Sequence, residues 1–405
     1  MDELILPVLA LFFSETVKID HHLAYSEYGN VTDIFYEKVA DLFNLLLFPV
    51  DKILSSQLAI TRISSALTNM VYEIVLTNPP MRLSSKPRPP LLTDVSGSGT
   101  LSPSPILPSK YILRIYGSGI DELIDHKNEL YWINVLGKLG IGARVLGLFN
   151  NGRLEEFLFS RTLDKTDIRD PDISPKIASR MCELHKLAKY IPSTNHRFSA
   201  FVATDYLVFD PSLNIPQSDY ASSELWKKLR NWTALLDKKL DHMQYGNILQ
   251  LSKTKDLMVV DFEYAGYNYR GADIANHFTE WMADYSAPES HLLSESNFPS
   301  KDQRFMFYRS YLSTENIIEK NIEGKQALFD GDLSDETAKD CDYLNQRILE
   351  MDKETMQFVP VIHLQWGIWG LLQACISTIE FNYLGYGFHR LQKFIDFVEQ
   401  NLKNC

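Results

Sequence analysis

The chain has 405 residues, with 40 Lys and Arg against 52 Asp and Glu for a net charge of −12. That excludes a small stapled scaffold and withholds the basic field that nucleic acid requires. Its four cysteines (Cys182, Cys341, Cys375, Cys405) are widely spaced and form no CxxC or Cys/His cluster, so neither a zinc site nor a disulfide framework is implied and a reducing compartment fits.

In chain order, an apolar run from Leu4 to Phe13 follows the acidic pair Asp2 and Glu3 and lacks a small-residue cleavage pattern, so no signal peptide is expected. No stretch reaches the roughly 18 to 20 apolar residues of a membrane span, and a cytoplasmic location is expected. Residues 1–50 read as a helical extension. Ile60–Ile63 and Val71–Leu76 read as strands around a Ser-Ser-Ala-Leu-Thr-Asn turn, and Tyr111–Tyr116 alternates like a third. Between Thr77 and Lys110 fall eight of the 18 prolines, among Ser and Gly. Such a segment buries too little apolar surface to offset its ordering entropy, and a disordered insertion is expected there.

A helical pattern runs from Asp121 to about Leu139, followed by a hairpin of Arg144–Phe149 and Arg153–Leu158. Asn150, Asn151 and Gly152 join its strands and supply the positive-φ residues that a tight turn favours. From Asp172 the chain turns helical. Ser174 and Pro175 form an N-cap and first-turn pair, with Ile177, Met181, Leu184 and Leu187 on one face. Further helices are expected at 222–239, 271–284, 302–313, 335–352, 355–380 and 386–401. The fold class is therefore α+β: a small β-rich N-terminal lobe (51–158) and a larger, mainly helical C-terminal lobe (159–405).

Within the helical half, Asn247–Leu251 and Leu257–Glu263 read as a hairpin around the polar turn Ser252–Asp256. Antiparallel pairing brings Gln244 and Asn247 toward Asp261. An amide pair facing a carboxylate offers the hard oxygen ligands that suit Mg²⁺. The same residues also fit a turn in which Asn and Asp bond only backbone.

The motifs Gln244-Tyr245-Gly246-Asn247, Asp261–Gly271, Asp273–Phe278 with Glu280-Trp281, Ile63–Asn69 with Tyr72, Leu113–Gly117, Asn151-Gly152-Arg153 with Glu155, and Trp366–Gly370 together resemble the choline/ethanolamine kinase family, in the family's order. The resemblance implies a protein-kinase-like fold that phosphorylates choline, and ethanolamine as a second acceptor, from MgATP in phosphatidylcholine synthesis. It also makes a homodimer the implied assembly.

By the same resemblance, the turn holding Ser64, Ser65, Thr68 and Asn69 would cover the phosphates through backbone N–H groups. Arg114 would pair a phosphate and Glu129 would hold that arginine, while Glu156 and Phe157 would begin the hinge against adenine through backbone groups. Asp261 would hold Mg²⁺ with Gln244 and Asn247, and Arg270 and Asp273 would buttress the catalytic loop. A quaternary ammonium donates no N–H, so its pocket needs aromatic faces and an anion. Trp366 and Trp369, three apart on one expected helix, supply two faces. Tyr264, Tyr285, Tyr386 and Tyr383 join them by resemblance, with Glu280 as counter-charge.

One departure stands out. Where the family has His-Asn-Asp in its catalytic loop, this chain has Leu240, Asp241 and His242, and the strand expected to lead into the loop is missing. The pattern points to a deletion ending at His242. His242 can accept a proton near neutral pH, and Asp241 lies one residue early, so both are candidate catalytic residues. A second reading follows: a catalytically impaired family member that acts by nucleotide binding or protein interaction. His185 and His277 read as core or capping residues.

Overall fold

The computed structural model describes residues 23, 32–48, 50–63, 69–77, 109–116, 126–138, 140–188, 245–262, 268–323, 338–377 and 381–402. The expected insertion (but for its edges), the helix at 222–239, and the calls at Ser64, Ser65, Thr68, Asp241, His242, Gln244 and Tyr264 lie outside the described residues. The chain divides into two compact units, Met1–Arg161 with Leu249–Asp261, and Thr162–Ile248 with Phe262–Cys405.

In the first unit, helix α1 (Asp33–Leu46) starts at Thr32, whose Oγ1 accepts the Phe35 N–H at 3.2 Å and so satisfies an otherwise unpaired first-turn donor. Phe35, Val39, Leu42 and Phe43 share its buried face. Strands β1 (Leu58–Ile63), β2 (Asn69–Leu76), β3 (Lys110–Tyr116), β4 (Val145–Phe149) and β5 (Gly152–Glu156) form a sheet in the order β1-β2-β3-β5-β4, with antiparallel neighbours throughout. Alternation along β3 turns Tyr111, Leu113 and Ile115 into a core shared with Tyr72, Ile74, Leu154 and Phe43. Helix α2 (His126–Lys138) lies between β3 and β4 in sequence.

The β4–β5 hairpin forms, but Gly152 acts differently from the expectation. None of Asn150, Asn151 and Gly152 is among the positive-φ residues. A Cβ on Gly152 would stand 2.2 Å from the Arg114 carbonyl and 2.4 Å from the Phe149 ring, so the glycine permits close strand approach. Strands β6 (Ser160–Thr162), β7 (Ile248–Leu251) and β8 (Leu257–Val259) make a second sheet in that order. The Val259 N–H donates to the Ile141 carbonyl at 3.0 Å, tying β8 to the segment after α2.

The second unit holds α3 (Ser174–Ala188), α4 (Arg270–Glu280), α5 (Lys301–Glu323), α6 (Ala338–Ile376) and α7 (Tyr383–Leu402). Ile177, Met181 and Leu184 are buried on one face of α3, although Ser174 is already its first helical residue. Where separate helices at 335–352 and 355–380 were expected, α6 is one helix of 39 residues that runs through Pro360. A proline there forfeits one backbone bond. Burial of Val359 and Ile362 in the cluster with Ala272, Ala275 and Trp366 offsets that loss.

Near the end of α6, glycines let α7 approach backbone to backbone. A Cβ on Gly370 would stand 2.9 Å from the Gly387 Cα, and one on Gly387 would stand 2.9 Å from the Gly367 carbonyl. This crossing holds the tryptophans of α6 beside the tyrosines of α7.

Candidate active site

Two sets of side chains, one in each unit, hold most of the expected site residues within the described structure. In the first, Arg114 on β3 and Arg153 on β5 are paired in register. Arg153 is fully buried; its Nε donates to Glu155 Oε1 at 2.5 Å and its Nη2 to Glu129 Oε1 at 2.7 Å. Burial alone would lower the Arg153 pKa, but Glu129 and Glu155 outweigh it and hold the guanidinium charged. Arg114 Nε stands 3.4 Å from Glu155 Oε1 and is buried with no hydrogen-bond partner. The carboxylate that α2 contributes, Glu129, thus grips Arg153, while Glu155 spans both arginines.

Glu156 closes the hairpin. Its carboxylate accepts from Arg144 N at 2.8 Å and Arg144 Nε at 3.0 Å, and its own N–H donates to the Arg144 carbonyl. That N–H is spent on the sheet, so any adenine contact by backbone N–H starts at Phe157. The Phe157 ring lies 5.1 Å edge-on from Phe159 and 5.0 Å from Lys110 Nζ. Asn69 is the first residue of β2.

Asp261, just after β8, carries two unusual features. Its φ is 67°, a left-handed conformation that costs most non-glycine residues about 1 kcal/mol or more. Its Oδ1 is buried with no hydrogen-bond partner. A carboxylate oxygen kept dry, unpaired and on strained backbone suits a hard divalent cation. Among the described residues no group of three or more His, Cys, Asp and Glu could hold a metal. Asn247 is buried at the end of the short turn Tyr245–Asn247 that leads into β7, in the second unit.

The second set is aromatic. The Trp366 and Trp369 rings meet edge-on at 5.4 Å, and Trp369 meets Tyr383 at 5.8 Å and Tyr386 at 6.2 Å. Phe381, which sequence reasoning missed, lies 4.8 Å from Tyr383 and 5.9 Å from Tyr386. The Trp366 Nε1–H donates to Asn276 Oδ1 at 2.7 Å, fixing the indole on α4.

Glu280, the last residue of α4, is buried beside this cluster. Its Oε1 accepts from Arg390 Nη2 at 2.9 Å and its Oε2 from the Tyr285 hydroxyl at 2.9 Å. Burial and the Glu280 charge push the Tyr285 hydroxyl well above its ordinary pKa, so it remains a donor. Tyr386 is pushed up to about 12 by burial against the opposing pull of Arg390. Arg390 is fully buried; its Nε donates to the Tyr386 hydroxyl at 3.1 Å, and its guanidinium lies over the Tyr386 ring, 5.1 Å from the centroid. Sequence reasoning missed Arg390 too, although its place four residues after Tyr386 put it on the same helix face.

The remaining polar groups brace the helices. His185 bridges Tyr311 and Asp273, at 2.8 Å to each. Arg270 Nη2 pairs with Glu354 at 3.0 Å and its Nη1 with Glu315 at 3.5 Å. His277 accepts from Trp281 Nε1 and stacks on Phe307.

Residues 60–395 match the family model described as Choline/ethanolamine kinase. The chain belongs to that family. It is 31% identical over 296 residues to a protein named probable choline kinase 2 of Arabidopsis thaliana, covering 70% of this chain and 77% of that one. It is 30% identical over 356 residues to a choline/ethanolamine kinase of Rattus norvegicus, covering 83% and 79%. The solved choline kinase of Cryptosporidium parvum superposes with a TM-score of 0.64 at 18% identity, covering 90% of this chain and 96% of that one. That likeness establishes the protein-kinase-like fold. Among the described residues, no helix is long and apolar enough to cross a membrane.

Proposed function

We propose that this member of the choline/ethanolamine kinase family is a choline kinase that transfers the terminal phosphoryl group of MgATP to the choline hydroxyl, with ethanolamine as a second acceptor. The observation that carries the reading is the aromatic cluster of Trp366, Trp369 and Tyr386 beside the buried carboxylate of Glu280. Ring faces are what a cation without N–H donors requires, and the Glu280 carboxylate borders them.

Asp261, with Asn247 and Gln244 by resemblance, would hold the magnesium, which when bound neutralises charge on the transferring phosphate. Arg114 would pair a phosphate oxygen; its buried Nε without a hydrogen-bond partner supports that assignment. Backbone groups of the Ser64–Asn69 turn would cover the phosphates, and His242 or Asp241 would take the hydroxyl proton. The protein is read as a cytoplasmic enzyme of phosphatidylcholine synthesis, acting as a homodimer that sedimentation velocity can test.

The second reading, an impaired member that binds without turnover, rests on Leu240-Asp241-His242 standing where the family has His-Asn-Asp. A coupled assay with MgATP and choline separates the two. Turnover abolished by Asp261→Ala supports the kinase, whereas MgATP binding without turnover supports the second reading.

A further inference from the structure

The Glu280 carboxylate is not a bare anion. One oxygen accepts from Arg390, which is fully buried and carries the opposite charge, and the other accepts from the Tyr285 hydroxyl. Arg390 Nη1 also lies 3.4 Å from Nδ1 of His363. Burial first, then Arg390 and Lys393, keep that imidazole well below its ordinary pKa and therefore neutral. Glu280 and Arg390 together bring no net charge to the aromatic cluster, and each carboxylate oxygen already accepts one hydrogen bond, which halves the acceptor capacity left for an incoming amine.

The two candidate amines differ in what they ask of such a site. A trimethylammonium group spreads its charge over methyl groups and is satisfied by the faces of Trp366, Trp369 and Tyr386. A primary ammonium carries three N–H donors and is strongly hydrated, so burying it without acceptors is costly.

We propose that the Arg390–Glu280–Tyr285 linkage makes the pocket selective for quaternary over primary ammonium groups, with Arg390 as a positioning residue that sets the preference by occupying Glu280. This rests on the choline kinase reading. It adds the selectivity device, which the aromatic cluster alone does not contain. Affinity should rise stepwise from ethanolamine through its mono- and dimethyl forms to choline.

The test is equilibrium binding by calorimetry on the full chain, which needs no turnover. The wild-type protein is expected to bind choline roughly tenfold or more tighter than ethanolamine, with the intermediate amines in order. Tyr285→Phe keeps the ring and frees one carboxylate oxygen, and Arg390→Met removes the counter-charge; each is expected to shrink the choline-to-ethanolamine affinity ratio by about threefold or more. Arg390→Lys is expected to restore much of it, which a merely structural role would not predict. If Arg390→Met fails to fold, Tyr285→Phe decides. Equal or tighter ethanolamine binding by the wild type, or an unchanged ratio in the variants, overturns the selectivity proposal and leaves the choline kinase reading standing. If neither amine binds at millimolar concentration, that reading falls and the selectivity proposal falls with it.

Discussion

Arg114 and Arg153 are directly opposed on neighbouring strands, and Glu155 reaches both, at 3.4 and 2.5 Å. Like charges so placed repel, and the arrangement holds because Glu155 lies between them and Glu129 takes the far side of Arg153. Removing one partner of a buried ionic group costs about 3 kcal/mol or more. Glu155→Gln is therefore expected to destabilise the protein by about that amount, measured by urea unfolding.

The same carboxylate gives a pH dependence. Burial raises the pKa of Glu155, but Arg114 and Arg153 outweigh it and hold it below 4.5 in the folded protein. A depressed folded value means that the stabilisation is fully present above about pH 4.5 and is lost as pH falls through the folded value. Unfolding free energy measured between pH 6 and pH 3 should fall less steeply in Glu155→Gln than in the wild type.

Asp261 predicts activity and stability moving apart. Asparagine tolerates left-handed backbone as aspartate does and takes the charge off the buried, unpartnered oxygen. Asp261→Asn is expected to lower kcat by about a hundredfold or more while the melting temperature stays level or rises by a degree or two. A coupled assay and differential scanning calorimetry on the same preparation check both, and a large loss of melting temperature would count against the assignment.

The two tryptophans should separate. Trp369→Ala removes a ring that touches Trp366, Tyr383 and Tyr386, and is expected to raise the choline KM about tenfold while the ATP KM stays within about twofold. Trp366→Phe keeps a ring but removes the bond to Asn276, and is expected to cost about 1 kcal/mol of stability as well.

The glycine crossing predicts an indirect effect on the pocket. Gly370→Ala drives a methyl group into the Gly387 Cα and the Tyr386 ring. Overpacking of this kind costs about 1 to 3 kcal/mol, and the relief available is outward movement of α7, which carries Tyr386 and Arg390. Lower stability should come with weaker choline binding and unchanged nucleotide binding, read by calorimetry with each ligand.

Much of this was legible in the sequence because it rests on local pattern. The alternation in Tyr111–Tyr116 gave β3, the Asn-Asn-Gly turn gave the β4–β5 hairpin, and the Trp366 and Trp369 spacing gave two rings on one helix. What stayed hidden depends on distant partners. The break expected at 353–354 does not exist: Met351 and Thr355 on either side of it are buried, and α6 continues through. Arg390 reads as a surface cation until the chain brings it to Glu280, 110 residues away. The unpaired oxygen and left-handed backbone of Asp261 have no sequence signature, and Gly152 was assigned the wrong one of glycine's two uses.

The left-handed backbone at Asp261 also bears on how the protein would fail. Asparagine fits that backbone as aspartate does and takes the charge off the buried oxygen, so a chain silenced by Asp261→Asn would be folded, abundant and invisible to cellular quality control. The residues proposed to bind the amine lie in the other unit and would remain intact, and such a variant would act as a sink for choline rather than simply as a missing enzyme.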